Sequence, residues 1–99
     1  MNIKHYFSSG MYIKETEFKP GEQGTKHVHD YDHFSVLSRG KATLYVDGVG
    51  SIVKAPLVLT IKAGKTHEVH AITDVTWLCC HATDCTDEMH IDTVLTREA

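Results

Sequence analysis

The sequence predicts an all-β domain, a sandwich or barrel of short strands. Three observations predict it. Apolar and polar residues alternate with period two in segments of five to eight residues. Turn signals such as Lys19-Pro20-Gly21, Ser38-Arg39-Gly40 and Asp47-Gly48 separate these segments at nearly regular intervals. Helical periodicity is almost absent.

Met11 to Phe18 puts Met11, Ile13, Glu15 and Glu17 on one face and Tyr12, Lys14, Thr16 and Phe18 on the other. Lys19-Pro20-Gly21 ends it. His27 to His29 and His33 to Leu37 follow, divided by the polar break Asp30-Tyr31-Asp32. Lys41 to Val46 alternates, with Ala42, Leu44 and Val46 on one face, and Asp47-Gly48 is a strong hairpin signal into Gly50 to Lys54. Pro56 opens Leu57 to Ile61, an apolar run that reads as a buried strand. Lys62-Ala63-Gly64-Lys65 turns into His67 to Ala71, and Thr73-Asp74 into Val75 to His81, which carries Trp77. This makes about eight strands. Thr86 to Leu95 can hold a helical turn, capped by Asp84 or Thr86, with Met89, Ile91, Val94 and Leu95 apolar, or a further strand.

At 99 residues the chain suits one domain, 1–99. Its 41% hydrophobic and 23% charged content is ordinary for a globular protein. A net charge of -3 and a pI near 6.2, with lysines scattered rather than clustered, exclude the basic footprint of a nucleic-acid binder. No apolar stretch approaches the roughly 20 residues of a membrane helix. Met1 to Tyr6 lacks the apolar core of a signal peptide, so the expected compartment is the cytoplasm. Three cysteines, an odd number without Cys-X-X-Cys, argue against a disulfide scaffold or a zinc knuckle. A second metal site from Cys79, Cys80, His81, Cys85 and His90 competes with a plainer reading, in which the cysteines pack as small hydrophobes.

The chemistry concentrates in Gly21 to His33, which holds three of the eight histidines within seven residues. On a strand, His27 and His29 share a face. Gly21, Gly24 and the β-branched Thr25 and Val28 oppose a helix here. A strand, a tight turn and a second strand bring His27, His29 and His33 to one point, where neutral imidazoles suit a first-row transition metal.

These residues resemble the cupin superfamily. Its first motif reads G-x5-H-x-H-x3-E-x6-G, and Gly21, His27, His29, His33 and Gly40 match every spacing, with His33 in place of glutamate. The second reads G-x5-P-x-G-x2-H-x3-N. Gly64 and His67 are kept, while Pro56, Lys62 and Ala71 replace the first glycine, the proline and the asparagine. The resemblance spans Gly21 to Ala71. It implies a small jelly-roll barrel with His27, His29, His33 and His67 as metal ligands. Parity agrees: His33 shares a face with Ser35 and Leu37, and His67 with Val69 and Ala71, while Glu68 and His70 face away. His5, His81 and His90 lie outside the motifs and read as surface or structural histidines. His81 shares its face with Trp77 and Cys79, a route to the cavity.

Four neutral imidazoles leave a divalent ion its full charge. Such a site favours iron, zinc, nickel or copper over calcium and magnesium, with iron, zinc and nickel the leading metals. The resemblance implies a mononuclear non-haem iron dioxygenase acting on a small oxygen-chelating substrate. The alternatives are a zinc or nickel Lewis acid that isomerises, cyclises or eliminates, and a binding module without turnover. Tyr31 is the candidate catalytic residue, a hydrogen-bond donor to bound substrate. Asp30 and Asp32 read as solvated turn acids. A barrel this small admits only a small-molecule ligand. Exposed sheet edges and apolar residues on both strand faces (Phe34, Val36, Tyr45, Trp77, Leu78) predict a homodimer.

Overall fold

The computed structural model describes residues 1–84 and 86. Among these residues are nine strands: β1 (Asn2–Ser8), β2 (Met11–Phe18), β3 (His27–Val28), β4 (His33–Arg39), β5 (Lys41–Val46), β6 (Val49–Lys54), β7 (Leu57–Ile61), β8 (Thr66–Ala71) and β9 (Val75–Ala82). They form two antiparallel sheets, one in the order β1-β2-β9-β4-β7 and one in the order β3-β8-β5-β6. The architecture is a small jelly roll. Among the described residues no helix is long and apolar enough to cross a membrane. The element expected over Thr86 to Leu95 lies, but for Thr86, outside the described residues, as do Cys85 and His90.

The strand absent from the sequence reading is β1. Its residues, Asn2 to Ser8, are mostly exposed and alternate weakly, so the period-two signal is faint. Its turn is legible in hindsight. Ser9 and Gly10 both have positive φ, 56° and 70°, and Ser8 faces Met11 across the ladder. That is the two-residue hairpin of a right-twisted ribbon. Asp47 and Gly48, at 49° and 79°, make the same turn between β5 and β6. Strand β3 is shorter than expected, ending at Val28 rather than His29.

Gly40, at φ 93°, joins β4 to β5 where a Cβ would collide with the Asp74 carbonyl oxygen. Only glycine fits so close an approach. The inner faces of the two sheets meet in one apolar core: Phe18, Leu37, Ala42, Leu44, Ile61, Val69, Ala71, Val75 and Trp77. Alternation along the strands places these residues, and the same alternation continues into the polar end of the sandwich.

Candidate metal centre

Along β4 the inward residues are His33, Ser35 and Leu37, all buried; along β8 they are His67, Val69 and Ala71. Strand β9 runs antiparallel to β4, with Phe34 opposite Cys80, so the end of β9 delivers His81 beside His33. His27 lies directly across the β3–β8 ladder from His67. The two motif segments are also fastened together. The His29 carbonyl accepts the Gly64 N–H at 2.8 Å, and Asp32 Oδ1 accepts the Ala63 N–H at 2.8 Å. The turn that launches β8 is therefore held by the loop between β3 and β4.

Five imidazoles of the described residues gather at this end. His29, His33 and His81 each offer a ring nitrogen within 4.8 Å of the other two. The His29 ring centroid is 4.5 Å from that of His33 and 4.9 Å from that of His81. The His67 ring lies 5.4 Å from His29 and 5.3 Å from His33. His27 stands farther out, half-buried, with its ring 5.7 Å from His67 and 6.3 Å from His29. Of the four histidines expected from the sequence, three form the inner group and His27 flanks it. His81 joins the inner group although it belongs to neither motif. Its shared parity with Trp77 and Cys79 was the signal, because that face is the cavity face.

His29, His33 and His67 are each 5% exposed and His81 3%. Burial, first, and the neighbouring imidazoles, second, push the pKa of His33 down to about 4 and those of His67 and His81 down to about 3. All three are neutral near pH 7, the state in which a histidine ligates. Both ring nitrogens of His33, and Nδ1 of His67, are buried with no hydrogen-bond partner. An unmet buried polar group costs about 1–3 kcal/mol. A metal ion answers this demand, since it takes up the bare lone pairs of several rings at once. The residues present therefore fit a bound transition metal.

Tyr31 Oη lies 3.0 Å from His81 Nδ1. In one tautomer the Nδ1–H donates to Tyr31, leaving the Nε2 lone pair for a metal; this is the usual outer support of a ligating histidine. Burial, with a smaller contribution from Cys79, pushes the Tyr31 hydroxyl up to about 12, so it stays protonated. It serves as a hydrogen-bonding group and not as a base. Asp32 is exposed, held low by the Ala63 N–H, and acts as the clamp described above. His5 stands outside the group, behind Tyr12, whose Oη it bonds through Nδ1 at 2.7 Å and whose ring lies 6.0 Å from that of His81. His70 points outward, bonded to Glu68 at 2.9 Å and packed on Tyr45. Cys79 packs against the core, its thiol pushed up by burial, and Cys80 faces the other way beside Phe34.

A cavity of about 120 Å³ opens beside the histidines. It is lined by His27, His29, His67 and His81, by the inner face of β2 (Tyr12, Lys14, Thr16, Phe18) and by Trp77 and Cys79. This is far below the ~300 Å³ at which drug-sized pockets begin.

The cupin domain family matches residues 14–81, more than half of the chain, and the protein belongs to that family. No curated protein matches it. Solved structures do. An RmlC-like cupin from Desulfovibrio desulfuricans is 24% identical, with a TM-score of 0.73 over 82% of this chain and 80% of that one. A cupin superfamily protein from Desulfitobacterium hafniense is 19% identical, with a TM-score of 0.71 over 84% and 79%. KdgF from a Halomonas species is 16% identical, with a TM-score of 0.73 over 86% and 80%. At these identities the likeness establishes the jelly-roll fold.

Proposed function

We propose that this cupin holds one divalent transition metal ion, iron, zinc or nickel, in an all-histidine site and uses it to bind a small oxygen-chelating ligand. The observation that supports this is His33, buried, neutral and with both ring nitrogens unpartnered, among three other buried imidazoles. The ligand set is drawn from His27, His29, His33, His67 and His81, with His29 and His33 at its centre. Iron(II) bound there would supply dioxygen chemistry, and zinc or nickel would supply Lewis acidity. We favour the mononuclear iron dioxygenase. The protein's own part is to keep the rings neutral, to orient His81 through Tyr31, and to close the floor of the cavity with Trp77 and Phe18.

One observation favours a second reading, a binding module without turnover. Among the described residues that line the cavity, the only carboxylate is Glu68, and it is bonded to His70. Among the described lining residues no unengaged carboxylate stands ready for proton abstraction. Metal analysis of protein purified without a tag tests the site itself: less than one-tenth of an ion per chain after reconstitution would sink it. Oxygen uptake by iron-loaded protein with 1,3-diketones, small thiols and sugar acids then separates the readings. A thermal shift with no turnover selects the binding module, and turnover of the zinc or nickel form alone selects the Lewis acid.

The outer face of the five-stranded sheet supports a homodimer. Phe34 and Val58 are 60% and 65% exposed on adjacent strands, and Val36, Leu78, Ile13 and Tyr6 extend the row across the sheet. A second copy on a two-fold axis presents the same row in return. Light scattering at micromolar concentration should give twice the 11.1 kDa chain mass, and a mass of 11.1 kDa rules the dimer out.

A further inference from the structure

The cavity beside the histidines is not uniform along its length. Tyr12 faces His81 across the β2–β9 ladder, and four residues away on each strand Thr16 faces Trp77. At about 3.3 Å per residue the two rungs lie about 13 Å apart. The first rung belongs to the imidazole end. The second is the centre of an apolar end. Ile3 faces Thr16 from β1, and Phe18 is the next inward residue of β2. Val69 stands on the opposite sheet, one inward position beyond His67 on β8. These residues line the same cavity as His27, His29, His67 and His81. Gly24 completes the wall over the Phe18 ring, where a Cβ would stand 3.4 Å from Cζ. Polar side-chain groups are few in this half: the Thr16 and Thr25 hydroxyls and the Trp77 indole N–H. The charged groups of the wall, Lys14 and Glu68, are engaged within the protein.

We infer that the ligand of this site is an oxygen chelator with a short unbranched alkyl tail, its head at the histidines and its tail laid against Ile3, Thr16, Val69 and Trp77, which set the specificity for that tail. This rests on the metal site proposed above for the chelating half of recognition and adds what lies behind the head. An apolar cavity of roughly 150 Å³ takes benzene, so the volume of about 120 Å³ leaves room for a tail of about two or three carbons. A polyhydroxylated chain of the same length, such as that of a sugar acid, would bury hydroxyls where few partners meet them, and an unpaired buried hydroxyl is costly. The alkyl chain instead gains from leaving water.

The test titrates acetohydroxamate, propionohydroxamate, butyrohydroxamate and hexanohydroxamate calorimetrically into the zinc-loaded full chain, with a butyrohydroxamate carrying a mid-chain hydroxyl beside them. Affinity should rise about threefold with each carbon up to butyrohydroxamate. It should level off by hexanohydroxamate, and the hydroxylated probe should lose the gain. Thr16→Leu fills the apolar half. It should weaken butyrohydroxamate at least fivefold, leave acetohydroxamate within twofold, and keep the zinc content of wild type. If Thr16→Leu does not fold, Ile3→Trp, on the exposed edge strand β1, fills the same space. A flat series in wild type, no hydroxamate binding by the zinc-loaded protein, or an equal loss of short and long probes in the blocked variant would overturn the assignment. Failure of the metal reading shows separately, as absence of zinc from wild type. Xenon, followed by NMR, then probes the apolar half alone in the metal-free chain. It should bind wild type and not the blocked variant, and no xenon binding by wild type would overturn the apolar half as well.

Discussion

At one end of the sandwich the inward residues of β4, β8 and β9 are Leu37, Ala71 and Val75; at the other end of the same strands they are His33, His67 and His81. All six are buried. The apolar end meets its own needs, because Leu37 and Val75 ask only for contact with Trp77, Phe18 and Leu44 and receive it. The histidine end does not, because three ring nitrogens are shut away from water without a partner. The strand alternation that builds both ends is identical. What differs is that one end is satisfied as folded and the other leaves buried ring nitrogens unmet, the demand that the proposed metal would answer. The stability of the first lets the second persist.

The largest effect that can test this contrast is acid. Well above pH 6.5 the rings of His33, His67 and His81 are neutral both folded and unfolded, so pH has no hold on stability through them. As pH falls through about 6.5 the unfolded chain takes up protons that the native state refuses until about pH 4 for His33 and about pH 3 for His67 and His81. The unfolded state binds more protons, so the metal-free protein loses stability as pH falls through this window, by about 1.4 kcal/mol per pH unit for each proton. Urea midpoints at pH 7.5, 6 and 5 should drop steeply. A flat profile would show that these rings are accessible to protons in the native state.

Next in size is the other end. Leu37→Ala removes a fully buried side chain, 0% exposed, and should cost about 2–5 kcal/mol in the metal-free protein. His33→Leu at the opposite end of the same strand should cost less than about 1 kcal/mol or stabilise, since it replaces an unsatisfied imidazole by an apolar group of similar size. It should also abolish metal binding. Equal losses in the two variants, measured by urea unfolding, would erase the distinction between a finished and an unfinished end.

Among the described residues eight of the nine strands were legible, most from alternation with one buried face, and the largely exposed β6 from the Asp47-Gly48 turn that leads into it. β1 was not, since it is largely exposed and, unlike β6, no turn signal was read beside it. His29, His33 and His67 were legible because motif spacing and parity agree on them. His81 was only half-legible. Its neighbour in space is set by the pairing of β9 with β4, a contact more than forty residues apart in sequence that no local pattern encodes. Tyr31 was singled out as a donor toward substrate, yet its hydroxyl is turned to His81 for the same reason.

A smaller effect follows from that bond. Tyr31→Phe keeps the ring, whose centroid is 5.5 Å from His29 and 5.8 Å from His81, and deletes only the hydroxyl. If His81 ligates with Tyr31 as its support, zinc affinity should fall about tenfold, the lower part of the range for losing an outer hydrogen bond to a ligand. An affinity unchanged from wild type, read by competition with a chromogenic chelator, would remove His81 from the coordinating group.

The smallest expected effect compares two faces of one strand. His67 and His70 are three residues apart on β8, and alternation sends them to opposite sides: His67 is buried among imidazoles, while His70 lies outside against Tyr45 and Glu68. Its ion pair with Glu68, at 2.9 Å, is partly exposed and worth at most about 1 kcal/mol when His70 is charged. His70→Ala should therefore leave zinc affinity within about twofold of wild type. His67→Ala should weaken it at least a hundredfold, because the ring it deletes has a buried Nδ1 with no other partner. The two variants, measured side by side in the same competition assay, separate the inner face from the outer one without disturbing the strand. A loss in His70→Ala as large as in His67→Ala would mean that the metal is not held at the barrel mouth, and the all-histidine assignment would fall with it.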